Sequence, residues 1–332
     1  MKLLVTGGLG FIGSNFISQI LSKPSKYEII NIDKIGRGAN SENLKDLENR
    51  EEYLFIKGDI SDFKFVQRMI KDVDAVINFA AETHVDRSIA NPATFIQSNI
   101  IGTFNLLEAE RKLDKPVRHI QISTDEVYGD ITQGSFKEED RLKPSNPYSA
   151  SKAAADMLCL AYYRTYGLDI IITRCTNNFG PYQFPEKLIP KTIIRAQKNL
   201  SIPVYGTGET IRDWIYVLDH CKAIDPILRK GKSGETYNIS SGNEFSTITI
   251  VKKILDALNK PEDLITYVED RPGHDIRYSL NSTKIRTELD WKPRHSFESA
   301  LEKTIEWYIE NDWWWKPIAD ERTLHPTPWK LR

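Results

Sequence analysis

The sequence predicts an α/β fold: a doubly wound parallel sheet with a smaller mixed α/β lobe after it. Three observations point there. Short apolar runs alternate with helix-patterned stretches from Lys2 to Arg174, a glycine-rich turn follows the first run, and the rhythm breaks after Gly180-Pro181. Strands alternating with helices imply crossover connections and a sheet covered on both faces. At ~150 residues per domain, 332 residues suggest two units. The division expected is 1–178 for a nucleotide-binding domain and 179–332 for a substrate-binding lobe, with strands or helices free to cross over.

The expected strands are Lys2–Thr6, Tyr27–Ile32, Tyr53–Lys57, Asp74–Phe79, Arg118–Ser123 and Asp169–Arg174. Between them, apolar spacing predicts helices at Phe11–Leu21, Phe63–Lys71, Pro92–Lys112 and Tyr148–Tyr166. The second lobe shows helical stretches at Lys187–Lys198, Val217–Arg229, Thr247–Leu258 and Ser296–Asn311, separated by short strands and Gly/Pro turns. One strand early in this lobe is expected to pair back into the main sheet.

Composition narrows the class. Lys plus Arg total 45 against 46 Asp plus Glu, a balance that lacks the field needed to hold a polyanion, so nucleic acid is not an expected partner. No apolar run approaches the ~20 residues of a membrane span, and MKLLVTGGLGFIG lacks a signal peptide's long apolar region. Cys159, Cys175 and Cys221 fit no zinc or disulfide pattern. A cytoplasmic enzyme with no metal is the expectation.

Gly7-Gly8-Leu9-Gly10-Phe11-Ile12-Gly13 follows a strand and opens a helix. Such glycines admit a pyrophosphate close to the backbone, and the helix start offers free N–H groups. Asp33, 20 residues past Gly13 at the end of the next strand, suits an adenosine ribose and would repel a 2′-phosphate. The sheet is therefore expected to be Rossmann-type and to bind NAD rather than NADP, although Arg37 stands nearby. Gly7, Gly10, Phe11, Ile12 and Gly13 would form the cradle. Asp59 and Ile60 would flank the adenine, and the small Ala80 and Ala81 would let the cofactor lie close. Plain turns and loops are the other reading of each.

Tyr148 and Lys152, four apart at a good helix start, share one face. A nearby ammonium favours the phenolate that a base at neutral pH requires. Thr124, Asp125 and Glu126 stand where a parallel strand ends. Thr124 can donate to a sugar oxygen, and repulsion between the adjacent acids favours one protonated and one ionised. An acid beside a base is what eliminating water needs. An exposed polar loop exit is the alternative.

With these motifs in view, the chain resembles the extended short-chain dehydrogenase/reductase superfamily and, within it, the dTDP-glucose 4,6-dehydratases. The similarity runs through GGLGFIGSNF, AAETHVDRSI, STDEVYGD, PYSASKAAAD, TRCTNNFGPYQFPEKLIP, PVYGTGETIRDWIYVLDH, YNISSGNE and DRPGHDIRY. Leu9 and Thr83 depart from the family's usual Ala and Ser. The resemblance implies NAD as cofactor and dTDP-glucose as substrate, with Tyr148 and Lys152 oxidising C4, Glu126 taking the C5 proton and Asp125 protonating the departing C6 hydroxyl. It adds Asn99 to the cofactor contacts. It implies substrate contacts at His84, Asn177 or Asn178, Glu186, Lys187, Leu188, Pro203, Tyr205, Arg212, Asn243, Arg271 and His274, and a homodimer through a four-helix bundle of Pro92–Lys112 and Tyr148–Tyr166. A UDP-sugar 4-epimerase, a UDP-glucuronate decarboxylase and a non-enzymatic NAD-sensing scaffold are the competing readings. Trp313–Trp315 and Pro326–Trp329 read as an aromatic anchor or part of a substrate lid.

Overall fold

The computed structural model describes residues 1–22 and 26–331. Seven parallel strands form the main sheet: β1 (Lys2–Thr6), β2 (Glu28–Asp33), β3 (Tyr53–Lys57), β4 (Ala75–Asn78), β5 (Arg118–Thr124), β6 (Ile170–Cys175) and, from far downstream, Thr236–Ile239. Their spatial order is β3-β2-β1-β4-β5-β6 followed by Thr236–Ile239 at the edge. The order reverses between β1 and β4, and ligands of open parallel sheets lie outside the carboxyl ends of the strands at such a switch. Central strands such as AVIN and IIITRC are buried along their whole length, as helices on both faces require.

The strand that returns to the sheet lies well inside the second half of the chain, not at its beginning. The helix Val217–Lys230 that precedes it packs Cys221, Ile224 and Ile227 into the core shared by Leu3, Phe16 and Ile17. Ile285, Leu289 and Trp291 join the same core. A second core, under Ile189, Ile193, Trp214, Phe297 and Tyr308, belongs to the smaller lobe. That lobe holds a three-stranded sheet of Glu244–Ser246, Ile211–Tyr216 and Asn177–Phe179, and a strand pair of Ile202–Tyr205 with Ile265–Val268.

Two helices shape the site. Pro147–Tyr166 is fixed at its start by a capping box, in which the Asn146 side chain accepts from Ser149 N at 3.0 Å and Ser149 Oγ accepts from Asn146 N at 3.2 Å. Gly167 ends it at φ +70°, a left-handed turn natural to glycine. The single helix expected over Pro92–Lys112 is instead Ala93–Phe95 and Gly102–Glu110 joined by a π-helical stretch, Ile96–Ile101. The wider turn brings both Ser98 and Asn99 to the buried side. Apolar spacing alone does not report such a register change.

Candidate active site

The glycine turn behaves as the sequence predicts. A Cβ on Gly7 would stand 2.6 Å from Ala80 N, and one on Gly13 would stand 2.5 Å from Gly7 O, so neither position admits a side chain. The helix Phe11–Ile20 starts at Gly10 with no side-chain cap, leaving its first N–H groups facing the cleft. Asp33 is buried at the tip of β2, where it accepts from Leu9 N at 3.1 Å and Ile35 N at 2.8 Å. Burial still holds its carboxyl above the ordinary value. Phe11, Ile12, Asp59, Ile60, Ala80 and Ala81 line the same cleft.

Asn99 does not line it. Its amide accepts from Glu82 N at 2.8 Å and donates to Glu82 O at 3.0 Å and Ser151 Oγ at 2.8 Å, so it supports the wall from behind. Here the structure corrects a cofactor contact into a support.

The reactive corner closes the cleft's far end. Thr124, the last residue of β5, donates to Asp125 Oδ1 at 3.1 Å and accepts from Glu126 N at 3.3 Å. Asp125 Oδ2 and Glu126 Oε2 are buried atoms without a hydrogen-bond partner. Burial first, and Glu126 second, push Asp125 well above the usual carboxylate range. Burial also raises Glu126, but Arg271, Arg212 and Lys187 oppose the shift. Both acids are thus raised, Asp125 well above and Glu126 against the pull of three cations.

The tyrosine and lysine meet β5 differently from expectation. Lys152 Nζ donates to the Ile122 carbonyl at 2.6 Å, and burial lowers its pKa. Burial, Glu126 and Cys175 hold the Tyr148 phenol well above its ordinary value, against a hydrogen bond with Thr124. Burial is the largest of these causes, and the phenolate that a base requires must form against it. Cys175, unmarked in the sequence, lines this corner, its thiol pushed up to about 12 by burial.

A second cleft adjoins the first and shares Thr83, Glu126, Asn177, Glu186 and Lys187 with it. His84, Leu188, Pro203, Tyr205, Arg212, Arg271 and His274 line it. Cations dominate its floor. Lys187 Nζ donates to Thr83 O at 3.0 Å, and Arg212 donates to the Asp275 and Ile211 carbonyls at 2.8 and 2.7 Å. Burial first, and then Lys187, Lys191, Arg87 and Arg271, hold His84 well below its ordinary pKa, and its buried Nδ1 has no partner. Glu186 is held by Arg87 at 3.2 Å and Arg37 at 3.5 Å. Of the two candidate asparagines, Asn177 keeps a buried, unpartnered amide oxygen, whereas Asn178 is engaged with Thr176 O and His220.

Asn243 is outside the lining of both clefts: its amide nitrogen donates to Ser241 Oγ at 3.0 Å and its N–H to Asp213 Oδ1 at 3.0 Å. Sequence reasoning missed Lys191, whose ammonium donates to His325 O at 3.2 Å and is lowered to about 8 by burial. Its spacing of four from Lys187 was an available signal. Among the described residues, no group of three or more His, Cys, Asp or Glu could hold a metal ion.

A family model described as GDP-mannose 4,6 dehydratase matches residues 4–304. The dTDP-glucose 4,6-dehydratase of Streptomyces niveus is 46% identical over 332 aligned residues, covering 98% of each chain. This chain belongs to the dTDP-glucose 4,6-dehydratase family. The enzyme of that name from Escherichia coli is also 46% identical, over 96% of this chain and 97% of its own. The solved dTDP-glucose 4,6-dehydratase DesIV of Streptomyces venezuelae, with NAD and a second ligand bound, is 44% identical and superposes with a TM-score of 0.93 over 96% of this chain and all of its own. A UDP-glucuronic acid 4-epimerase from Bacillus cereus shares the architecture at a TM-score of 0.88, over 94% of this chain and 100% of its own, but only 28% identity. The family members therefore stand well above the epimerase in identity over a fold that both share.

The aromatic C-terminus resolves on the side of an anchor. Trp314 and Trp315 are buried, their indole N–H groups donating to Asn43 Oδ1 at 2.7 Å and Tyr308 O at 2.8 Å. Trp313 is exposed, and Pro326 alone of the later stretch reaches the second cleft.

Proposed function

We propose that this protein is an NAD-dependent dTDP-glucose 4,6-dehydratase, converting dTDP-glucose to dTDP-4-keto-6-deoxyglucose and water. The observation that carries the reading is the adjacent pair Asp125–Glu126, each with a buried, unpartnered oxygen, beside Tyr148 at the mouth of a nucleotide cradle.

The cradle fits the cofactor, because Gly7 and Gly13 leave no room for side chains and Asp33 disfavours an extra phosphate. NAD bound there supplies the reversible hydride acceptor that lets C4 be oxidised and C6 be reduced within one turnover. Tyr148, as the phenolate and assisted by the Lys152 ammonium four residues on, accepts the 4-hydroxyl proton, and Thr124 orients that oxygen. The resulting ketone acidifies the C5 hydrogen, which Glu126 removes as a carboxylate. Asp125, kept protonated by burial, gives its proton to the C6 hydroxyl as water leaves, and reduction at C6 is matched by a proton returned to C5. Without the prior oxidation C5 has no neighbouring carbonyl to stabilise its charge. Lys152 anchors the tyrosine's helix to β5 through Ile122.

The second cleft serves the nucleotide. Lys187, Arg212 and Arg271 suit a diphosphate, guanidinium groups matching phosphate oxygens in a planar fork. Pro203 and Tyr205 serve as the wall for the base, with Leu188 beside them and His274 across from Tyr205.

An epimerase needs no acid pair, and a decarboxylase would meet Asp125 with its own substrate carboxylate. Incubation with dTDP-glucose and, separately, UDP-glucose tests the reading by mass spectrometry. A keto product lighter by one water supports it, and an isomeric sugar of unchanged mass contradicts it.

A homodimer fits the surface. Ile96, Ile101, Phe104, Met157, Tyr163 and Tyr166 are exposed on the two long helices expected to form a four-helix bundle. Sedimentation as a dimer at micromolar concentration supports this, and a monomer contradicts it. No helix among the described residues is long and apolar enough to cross a membrane. Three free, buried cysteines suit a reducing cytoplasmic setting.

A further inference from the structure

Asp86 is 2% exposed, lies two residues past His84 on the short helix Val85–Ala90, and sits among the cations of the second cleft. A buried carboxylate in a pocket suited to an anionic ligand works against that ligand unless it serves the pocket's own side chains. Both of its oxygens are taken. Oδ1 accepts from Arg271 Nη1 at 2.8 Å, and Oδ2 accepts from the Tyr205 hydroxyl at 2.6 Å.

These two partners come from distant parts of the chain. Tyr205 ends the strand Ile202–Tyr205, and Arg271 lies just beyond its pairing strand Ile265–Val268. One carboxylate thus pins both walls of the second cleft to a helix that follows β4 of the main sheet. Arg271 Nε is left buried and unpartnered, a donor held ready in the cleft. Lys187, Lys191 and Arg87 also face this region, with Glu186 and Glu126 among them.

We propose that Asp86 is a positioning residue for nucleotide binding, fixing the Arg271 guanidinium for the diphosphate and the Tyr205 ring against the base. The inference rests on the proposed function of the second cleft. Asp86 does not contact the reacting carbons, so its loss acts on binding rather than on the chemical step.

Asp86→Asn keeps the shape, but its NH2 end faces one of two donors and cannot accept from it. In the NAD-loaded protein, this variant is expected to weaken dTDP binding, read by calorimetry, about tenfold or more. KM for dTDP-glucose should rise in parallel, while kcat stays within about threefold. Arg271→Lys and Asp86→Asn should combine non-additively, because both disable one contact. Tyr205→Phe, which removes a single hydroxyl and leaves the buried charge paired with Arg271, should weaken dTDP binding about threefold. This second variant carries the test if Asp86→Asn does not fold.

Unchanged dTDP affinity in Asp86→Asn, or in Tyr205→Phe, overturns the inference while leaving the dehydratase reading standing. So does a fall in kcat with KM unaltered. A parent protein that binds no dTDP overturns the proposed substrate, and this inference falls with it.

Discussion

The reactive corner and the nucleotide cleft are built on opposite principles. At the end of β5, Asp125 and Glu126 each keep a buried oxygen without a partner, and burial pushes both acids and Tyr148 away from their charged forms. In the adjoining cleft the charges are already engaged: Arg271 with Asp86, Arg212 with carbonyls, Lys187 with Thr83 O, and Glu186 with two arginines. Groups that must exchange protons are left unsatisfied and destabilising, whereas groups that only hold a ligand are set in place by the fold.

The comparison breaks first at the corner. Tyr148→Phe removes the group that accepts the 4-hydroxyl proton, and a turnover loss on the order of 10³ or more is expected, with dTDP affinity within about threefold of the parent. Comparable turnover and a tenfold weaker dTDP affinity would place Tyr148 with the holding groups instead.

Asp125→Asn follows, with an expected loss on the order of 10²–10³ in kcat. The pH profile of the parent carries the same assignment. Glu126 must be ionised, so activity falls on the acid side as pH drops through its raised pKa. Asp125 must be protonated, so activity falls on the alkaline side as pH climbs through its more strongly raised one. The acid limb of kcat/KM should therefore lie above the ordinary carboxylate range. A profile flat from pH 5 to about 9 would contradict the division of labour.

A smaller effect concerns stability. A carboxyl whose folded pKa is raised costs nothing below its unfolded pKa and becomes destabilising as pH climbs toward the folded value. Asp125→Asn should thus raise the thermal midpoint by about 2 °C at pH 8, with the gain vanishing near pH 4. A lowered midpoint at pH 8 would mean that the carboxylate is held by partners like those of the nucleotide cleft. Smallest is Trp314→Phe, which deletes the indole hydrogen bond to Asn43 and should cost about 1 kcal/mol of stability, read as a lowered thermal midpoint.

The same contrast explains what was legible in the sequence. The corner is read from contiguous stretches, because a strand end, a capped helix start and a glycine turn each place neighbouring residues together: Thr124 to Glu126, Tyr148 with Lys152, Gly7 to Gly13. The parallel sheet followed from alternating apolar runs. The nucleotide cleft gathers residues from Thr83 to Pro326, so its members were available only through resemblance, and Asn243 and Asn99 show the cost. A motif position identifies a residue without saying which way its amide turns, and that of Asn99 is bound by the protein at both ends. Asp86 was missed because a buried ion pair is a property of two distant positions, and Lys191 because its spacing of four from Lys187 went unread. The π-helical turn at Ile96–Ile101 left no trace in apolar spacing, since it changes register over a single turn.

The central claim is that Glu126 and Asp125 divide proton removal and proton donation. Solvent deuterium entry at C5 of dTDP-glucose, followed by mass spectrometry or proton NMR in Glu126→Gln and Asp125→Asn, tests it most directly. The account predicts that Glu126→Gln blocks entry at C5 while C4 oxidation persists, and that Asp125→Asn still exchanges C5 but releases little water. Exchange at the parental rate in Glu126→Gln would contradict it.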